Sequence, residues 1–402
     1  MKKLTSAEVK NLDAQNVMQT YARFDVAIDR GEGATLFSPE GKEYIDFTSG
    51  IGVNSLGYGN KKWAEAIFDQ VMKLQHISNL YYTEPYARLA SILTERAGLK
   101  NVFFSNSGAE ANEGMIKLAR KYSFQKYGKN RNTIVTLEQS FHGRTITTLA
   151  ATGQSSFHNY FFPFTEGFKF VPAGCVKSLE QGLTDDVCAV MIEIIQGEGG
   201  VIPLNDEYIL ALEKLCRERD ILLLIDEIQT GIGRTGEFFA FKSKGVQPDV
   251  ISFAKGIAGG LPLGGFIAGE RCSETLSVGD HAATFGGNPV SAAAALEVLN
   301  QITPELLDDV KEKGKYINKT VSAWNLPLIK EPRGVGLMIG IPVIDSADIK
   351  PKDIAIACAE QGLLILTAGT DALRMLPPLT ITYDEISKGL KILKTVLEEI
   401  SK

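Results

Sequence analysis

Apolar residues fall along this chain in two rhythms. Short continuous runs recur through its middle, at residues 101–104, 133–137, 187–193, 221–226, 250–254 and 265–268. Between several of them, as at 109–122 and 206–218, apolar positions return with helical spacing. A continuous apolar run suits a parallel strand covered on both faces, whereas the wider spacing marks one face of a helix. Strands alternating with helices predict an α/β architecture with a mostly parallel sheet and right-handed crossovers.

The pattern changes after Pro289. A long helix over 290–302 leads into short strands and charged helices, and residues 385–399 form an amphipathic helix near the end. The stretch 334–340 reads as one strand of a separate small sheet. Three parts are expected: a segment 1–50 packing on the small domain, with strands at 35–37 and 44–47 around Gly41, a large domain 51–299, and the small domain 300–402. A chain of 402 residues suits one large α/β domain and a smaller companion.

Composition removes several function classes. The net charge is −6 and no Lys or Arg run stands out, which argues against nucleic acid or an anionic membrane as partner. The longest apolar stretches, at 221–225 and 292–296, are far too short to span a bilayer. Met1-Lys2-Lys3 has no apolar core behind it, unlike a secretory signal. Five dispersed cysteines without a Cys-x-x-Cys pair fit free thiols in a reducing cytoplasm. Four histidines without zinc-ligand spacing give no sign of a metal site.

Two strand ends carry the chemistry. The run Leu222-Leu223-Leu224-Ile225 ends on Asp226, and Phe253-Ala254 leads to Lys255. Both charges are expected at the carboxyl edge of the sheet, where open α/β sheets bind ligands. A lysine in an apolar pocket is held partly unprotonated and can form a Schiff base with an aldehyde. A carboxylate facing a pyridine nitrogen keeps that ring protonated, ready to accept electrons. Together these demands describe pyridoxal phosphate chemistry. Taken singly, Asp226 is more readily a helix cap and Lys255 a solvated strand-end charge, since a charge at a strand end is ordinary.

Other segments add weight by position. Ser107-Gly108-Ala109 follows the strand 101–104 and opens a helix, leaving backbone N–H groups free for a phosphate; an ordinary N-cap looks the same. Phe141 and Arg144 follow another strand, where an aromatic can stack on a planar ring and a guanidinium can grip a carboxylate. Glu198 stands among glycines after the strand 187–193, and Thr284 precedes the long helix. Arg374 lies in an apolar stretch, where its charge demands a carboxylate from substrate or protein. Gly231-Ile232-Gly233-Arg234-Thr235-Gly236 matches a dinucleotide fingerprint in spelling only. Asp226 to Thr230 separates it from the strand, and Phe238-Phe239-Ala240-Phe241 follows where an amphipathic helix is needed.

Taken together, the segments 105–113, 141–145, 196–200, 226–236, 253–262 and 284–289, in that order, resemble the class III aminotransferases, a fold type I pyridoxal-phosphate family. The similarity runs from about Asp25 to the C-terminus. It implies a large domain with a mostly parallel seven-stranded sheet, a smaller α+β domain, pyridoxal 5'-phosphate as cofactor, and a homodimer with active sites at the interface. The implied reaction moves the δ-amino group of N2-acetyl-L-ornithine to 2-oxoglutarate. Succinylornithine, ornithine or 4-aminobutyrate are the alternative donors, and an aminomutase is the alternative reaction.

Residue by residue, the resemblance implies that Lys255 bonds the cofactor and shuttles the proton, while Asp226 pairs with the pyridine nitrogen. Glu227, Ile228 and Gln229 would adjoin the ring, and Phe141 would stack on it. Ser107, Gly108 and Ala109 would hold the phosphate, helped by Thr284 of a second copy. Arg144 would bind the donor's carboxylate, with Ala283 and Tyr82 beside the substrate. Glu198 and Arg374 would form a switch pair, opened when glutamate's α-carboxylate needs the guanidinium. The chain departs from the family's common pattern at Tyr58-Gly59-Asn60, at Ala283 and at Ile194.

Overall fold

The computed structural model describes residues 3–344 and 349–401. Its centre is a seven-stranded sheet in the spatial order Asn101–Ser105, Gly264–Ala268, Val250–Phe253, Leu222–Asp226, Val187–Ile192, Thr133–Leu137, Phe168–Val171. Every strand runs the same way except Gly264–Ala268, which pairs antiparallel on both sides. The strand Phe168–Val171 is the one the apolar pattern does not reveal. It lies at the sheet edge, and Lys169 interrupts its apolar run.

Every residue of Thr133–Leu137, Val187–Ile192 and Leu222–Asp226 is buried. Because successive strand side chains point to opposite faces, these runs feed two cores. Val135, Val190, Leu223 and Ile251 join the larger core, whereas Ile134, Ala189, Leu222 and Val250 pack in the smaller one. The helix Gly108–Tyr127 closes the smaller core with Met115, Ile116, Leu118 and Ala119.

Beyond the helix Pro289–Gln301, the chain builds the long helix Pro304–Ser322 and a second, four-stranded sheet. The stretch 334–340, expected as one strand, is instead a hairpin of Arg333–Val335 and Met338–Pro342. It reverses at Gly336, whose φ of 58° is open to glycine at little cost. The strand Ala372–Met375 pairs with Met338–Pro342, setting Arg374 opposite Gly340. Near the start of the chain, Arg30–Glu32, Thr35–Phe37 and Glu43–Asp46 form a further sheet, in which Glu43–Asp46 lies parallel to Leu363–Leu364. Among the described residues, no helix is long and apolar enough to cross a membrane, and no group of three His, Cys, Asp or Glu side chains could hold a metal ion.

Candidate active site

The carboxyl ends of the parallel strands converge on one cavity of about 410 Å³. Asp226 ends one strand, Glu193 follows the next, Phe141 lies in the loop beyond a third, and Ser107 follows a fourth. Lys255 stands two residues past Val250–Phe253. The antiparallel strand starts at this same edge, which is why Gly260, Leu261, Pro262 and Leu263 complete the wall. The site therefore sits where the sheet's connectivity makes a crevice.

Asp226 is held from four directions. Its Oδ2 accepts from Asn112 Nδ2 at 2.8 Å and lies 2.9 Å from His142 Nδ1. Its Oδ1 accepts from the Ile228 N–H at 3.0 Å and from Ser252 Oγ at 3.5 Å. Asn112 also donates to the His142 carbonyl at 2.8 Å, so one amide fixes both neighbours. The Nε2 atom of His142 is buried with no hydrogen-bond partner among the described residues.

Lys255 begins a short 3-10 turn with φ of 45°, a left-handed conformation that costs a non-glycine residue on the order of 1–3 kcal/mol. Nζ has no hydrogen bond or ion pair among the described residues. Burial lowers its pKa below the usual lysine range, and Arg374 acts in the same direction, opposed by Glu198, Asp226 and Glu193. A neutral amine is the nucleophilic form.

Ser107 caps the helix Gly108–Tyr127, its hydroxyl accepting from the Glu110 N–H at 3.3 Å. The first N–H groups of the helix, at Gly108 and Ala109, have no partner within it, and both residues line the cavity. A Cβ at Gly108 would come within 2.9 Å of the Ile228 side chain, so glycine lets the wall close up. An anion-accepting helix start, an aromatic wall at Phe141, a caged carboxylate and a weakly basic lysine thus share one cavity. That donor set fits a phosphorylated pyridine carrying an aldehyde.

Arg374 is buried, and its Nη1 donates to Glu198 Oε1 at 2.7 Å, to the Gly197 carbonyl at 3.2 Å and to Gln229 Oε1 at 3.2 Å. Gln229 lines the cavity, so the ion pair stands directly behind it. Burial acts to raise the Glu198 pKa, but Arg374, Lys255 and Arg144 more than reverse this and hold it low.

Of the residues expected from sequence, Ser107, Gly108, Ala109, Phe141, Arg144, Asp226, Ile228, Gln229 and Lys255 line the cavity. Arg144 is exposed, its guanidinium 4.3 Å from the Phe157 ring centroid. Glu227 turns away into the core, accepting from the Phe241 N–H at 2.8 Å and Thr230 Oγ1 at 2.5 Å. Ala283 and Thr284 line a separate cleft of about 380 Å³, and Tyr82 is fully exposed. Sequence reasoning assigned no role to Asn112, His142 or Glu193. For Glu193 a signal existed, since it ends an apolar run just as Asp226 does.

A family model described as "Aminotransferase class-III" matches residues 17–397. The acetylornithine aminotransferase of Haemophilus ducreyi is 50% identical over 398 residues, covering 99% of this chain and all of that one. Among solved structures, the ornithine aminotransferase of Toxoplasma gondii ME49 superposes with a TM-score of 0.95 at 31% identity, covering 99% of this chain and 96% of that one. The N-acetylornithine aminotransferase of Stenotrophomonas maltophilia K279a gives 0.84 at 35% identity, with 97% and 98% covered. Sequence order, sheet topology and the lysine–aspartate cavity agree, and the chain belongs to the class III aminotransferases, enzymes that depend on pyridoxal 5'-phosphate.

Proposed function

We propose that this enzyme moves the δ-amino group of N2-acetyl-L-ornithine to 2-oxoglutarate, giving N-acetylglutamate 5-semialdehyde and L-glutamate. The observation that carries the reading is the pair of buried Arg374 with the partly open Glu198, behind Gln229. One pocket must accept in turn a donor whose reacting carbon bears no carboxylate and an acceptor whose reacting carbon bears one. A guanidinium neutralised by a nearby carboxylate serves the first; the same guanidinium released serves the second.

When bound, pyridoxal phosphate supplies an aldehyde to take up the amino group and a ring that draws electrons from the substrate carbon. The chain's own residues do the rest. Lys255 Nζ, its basicity lowered by burial, would take the proton from the carbon bearing the departing amino group and hand it on to the cofactor. Asp226, held by its four donors, would face the ring nitrogen of the bound cofactor and support a proton there. Phe141 would wall the cofactor ring, with Ile228 and Gln229 lining the same cavity, and Ser107, Gly108 and Ala109 would hold the phosphate through the helix start. Arg144 receives the donor's carboxylate.

The active form in this reading is a homodimer. Thr284 and Ala283 lie outside the chain's own lysine cavity, and Leu80, Tyr81, Tyr82 and Phe285 expose a large apolar area. Thr284 then serves the phosphate of a second copy, and Tyr82 and Ala283 adjoin its substrate. We place the division between large and small domains near residue 300, with segment 1–50 on the small domain, and the enzyme in the cytoplasm.

The test is the absorbance of cofactor-loaded protein mixed with each donor and no acceptor. Bleaching of the yellow colour by N-acetylornithine, with little change from ornithine or 4-aminobutyrate, is the expected result. Faster bleaching by ornithine would replace the donor and leave the reaction class intact.

A further inference from the structure

Glu193 stands directly past the strand Val187–Ile192, is almost wholly buried, and lines the cavity. A carboxylate in such a place is costly unless each oxygen finds a donor. Both do. Oε1 accepts from the Phe141 N–H at 2.9 Å, and Oε2 accepts from the Gly197 N–H at 3.1 Å. These two amides belong to different loops. Phe141 is the aromatic wall, while Gly197 precedes Glu198 and gives its carbonyl to Arg374 at 3.2 Å.

We propose that Glu193 is a positioning residue whose carboxylate clasps these two loops, fixing the distance between the Phe141 wall and the Glu198–Arg374 pair. The inference rests on the reading of the cavity as cofactor and substrate site. It assigns one side chain to two tasks, holding the ring plane and setting the gate that sorts the two substrates.

The surroundings support a clasp that depends on charge. The ionised carboxyl offers strong acceptors on both oxygens; protonation leaves one oxygen a weaker acceptor that must also place an O–H beside the amides. Burial pushes the Glu193 pKa up to about 7, with Asp226 adding to the rise and His142 opposing it. Lys255 also feels its charge, and the Glu198–Arg374 pair begins one residue beyond Gly197. The same loops are tied a second time by Gln196 Nε2, which donates to the Glu138 carbonyl at 2.8 Å. That second tie should help a Glu193 variant to fold.

The experiment compares wild type, Glu193→Gln and Glu193→Asp. Amide hydrogen exchange at Phe141 and Gly197, read on protein freed of cofactor, reports the clasp without any turnover. In wild type, protection of both amides should rise as pH rises through neutrality. In Glu193→Gln one amide should lose protection and the pH dependence should vanish, at a melting temperature close to wild type. In the loaded enzyme the KM for 2-oxoglutarate should rise about tenfold, the scale of one charge-assisted hydrogen bond. Glu193→Asp keeps the charge but reaches a single amide, so it should retain the pH dependence at one of the two; it is the variant to read if Glu193→Gln does not fold. Unchanged amide protection, or an unchanged KM, in a folded variant would overturn the proposal. Failure of the underlying site reading shows differently: wild type itself would not take up the cofactor on Lys255.

Discussion

Arg374 Nη1 lies 2.7 Å from Glu198 Oε1, and the arginine is buried while the glutamate remains partly open. The asymmetry makes Glu198 the partner able to leave. Glu198→Gln should slow the half-reaction with N-acetylornithine by about tenfold or more while leaving the glutamate half-reaction nearly intact. Arg374→Ala should do the reverse, and should also destabilise the fold by somewhat less than the about 3–5 kcal/mol of a fully buried broken pair. Separate half-reaction kinetics and urea unfolding check the two claims.

Lys255 should be the lysine that captures the cofactor. Borohydride reduction of loaded protein, followed by peptide mass spectrometry, should find the pyridoxyl group on Lys255 and leave exposed lysines such as Lys214 and Lys315 unlabelled. Lys255→Ala should lose the reducible adduct and all measurable turnover. A label elsewhere would remove Lys255 from its proposed role.

Asn112 joins Asp226 to the His142 carbonyl through one amide. Asn112→Ala deletes a donor to the carboxylate and to the His142 carbonyl, so Asp226 and the loop beside it lose a shared anchor. The half-reaction with N-acetylornithine should therefore slow by about tenfold, read from the rate of bleaching of loaded protein. The loss should also cost about 1–3 kcal/mol, because a buried acceptor is left short of a partner.

Glu227 gives a pH dependence of stability. Burial raises its pKa from 4.5 to about 7, with Asp226 pushing the same way and its Thr230, Phe241 and Ala240 hydrogen bonds pulling back. Between those two values the folded protein keeps a proton that the unfolded chain has released. Stability therefore falls as pH rises from 4.5 toward 7 and is flat above. Glu227→Gln, which can still accept from the Phe241 N–H, should flatten that slope in denaturant titrations at several pH values.

The apolar runs at 187–193 and 221–226 made the central strands readable because burial on both faces allows only apolar side chains there. Phe168–Val171 escaped because an edge strand tolerates Lys169, half exposed and paired with Asp186 at 2.9 Å. Lys255 and Asp226 were legible because a charge that ends an apolar run demands an explanation. Asn112 was not, since a polar residue within a helix is ordinary until the fold sets it against Asp226. The positions of Thr284 and Tyr82, outside the lysine cavity, could not be read locally, because a sequence does not say which cavity a distant loop lines.

The pairing of Glu43–Asp46 with Leu363–Leu364 joins strands from opposite ends of the chain. During synthesis the early strands emerge long before their neighbour exists, whereas every strand of the large sheet has appeared by Ala268. The large sheet can therefore assemble while the ribosome is still at work, and the terminal sheet must wait for release of the last segments. Until then the edge of Glu43–Asp46 stands open, a template for pairing with another nascent chain. Expression at high levels should be most prone to misassembly in that interval.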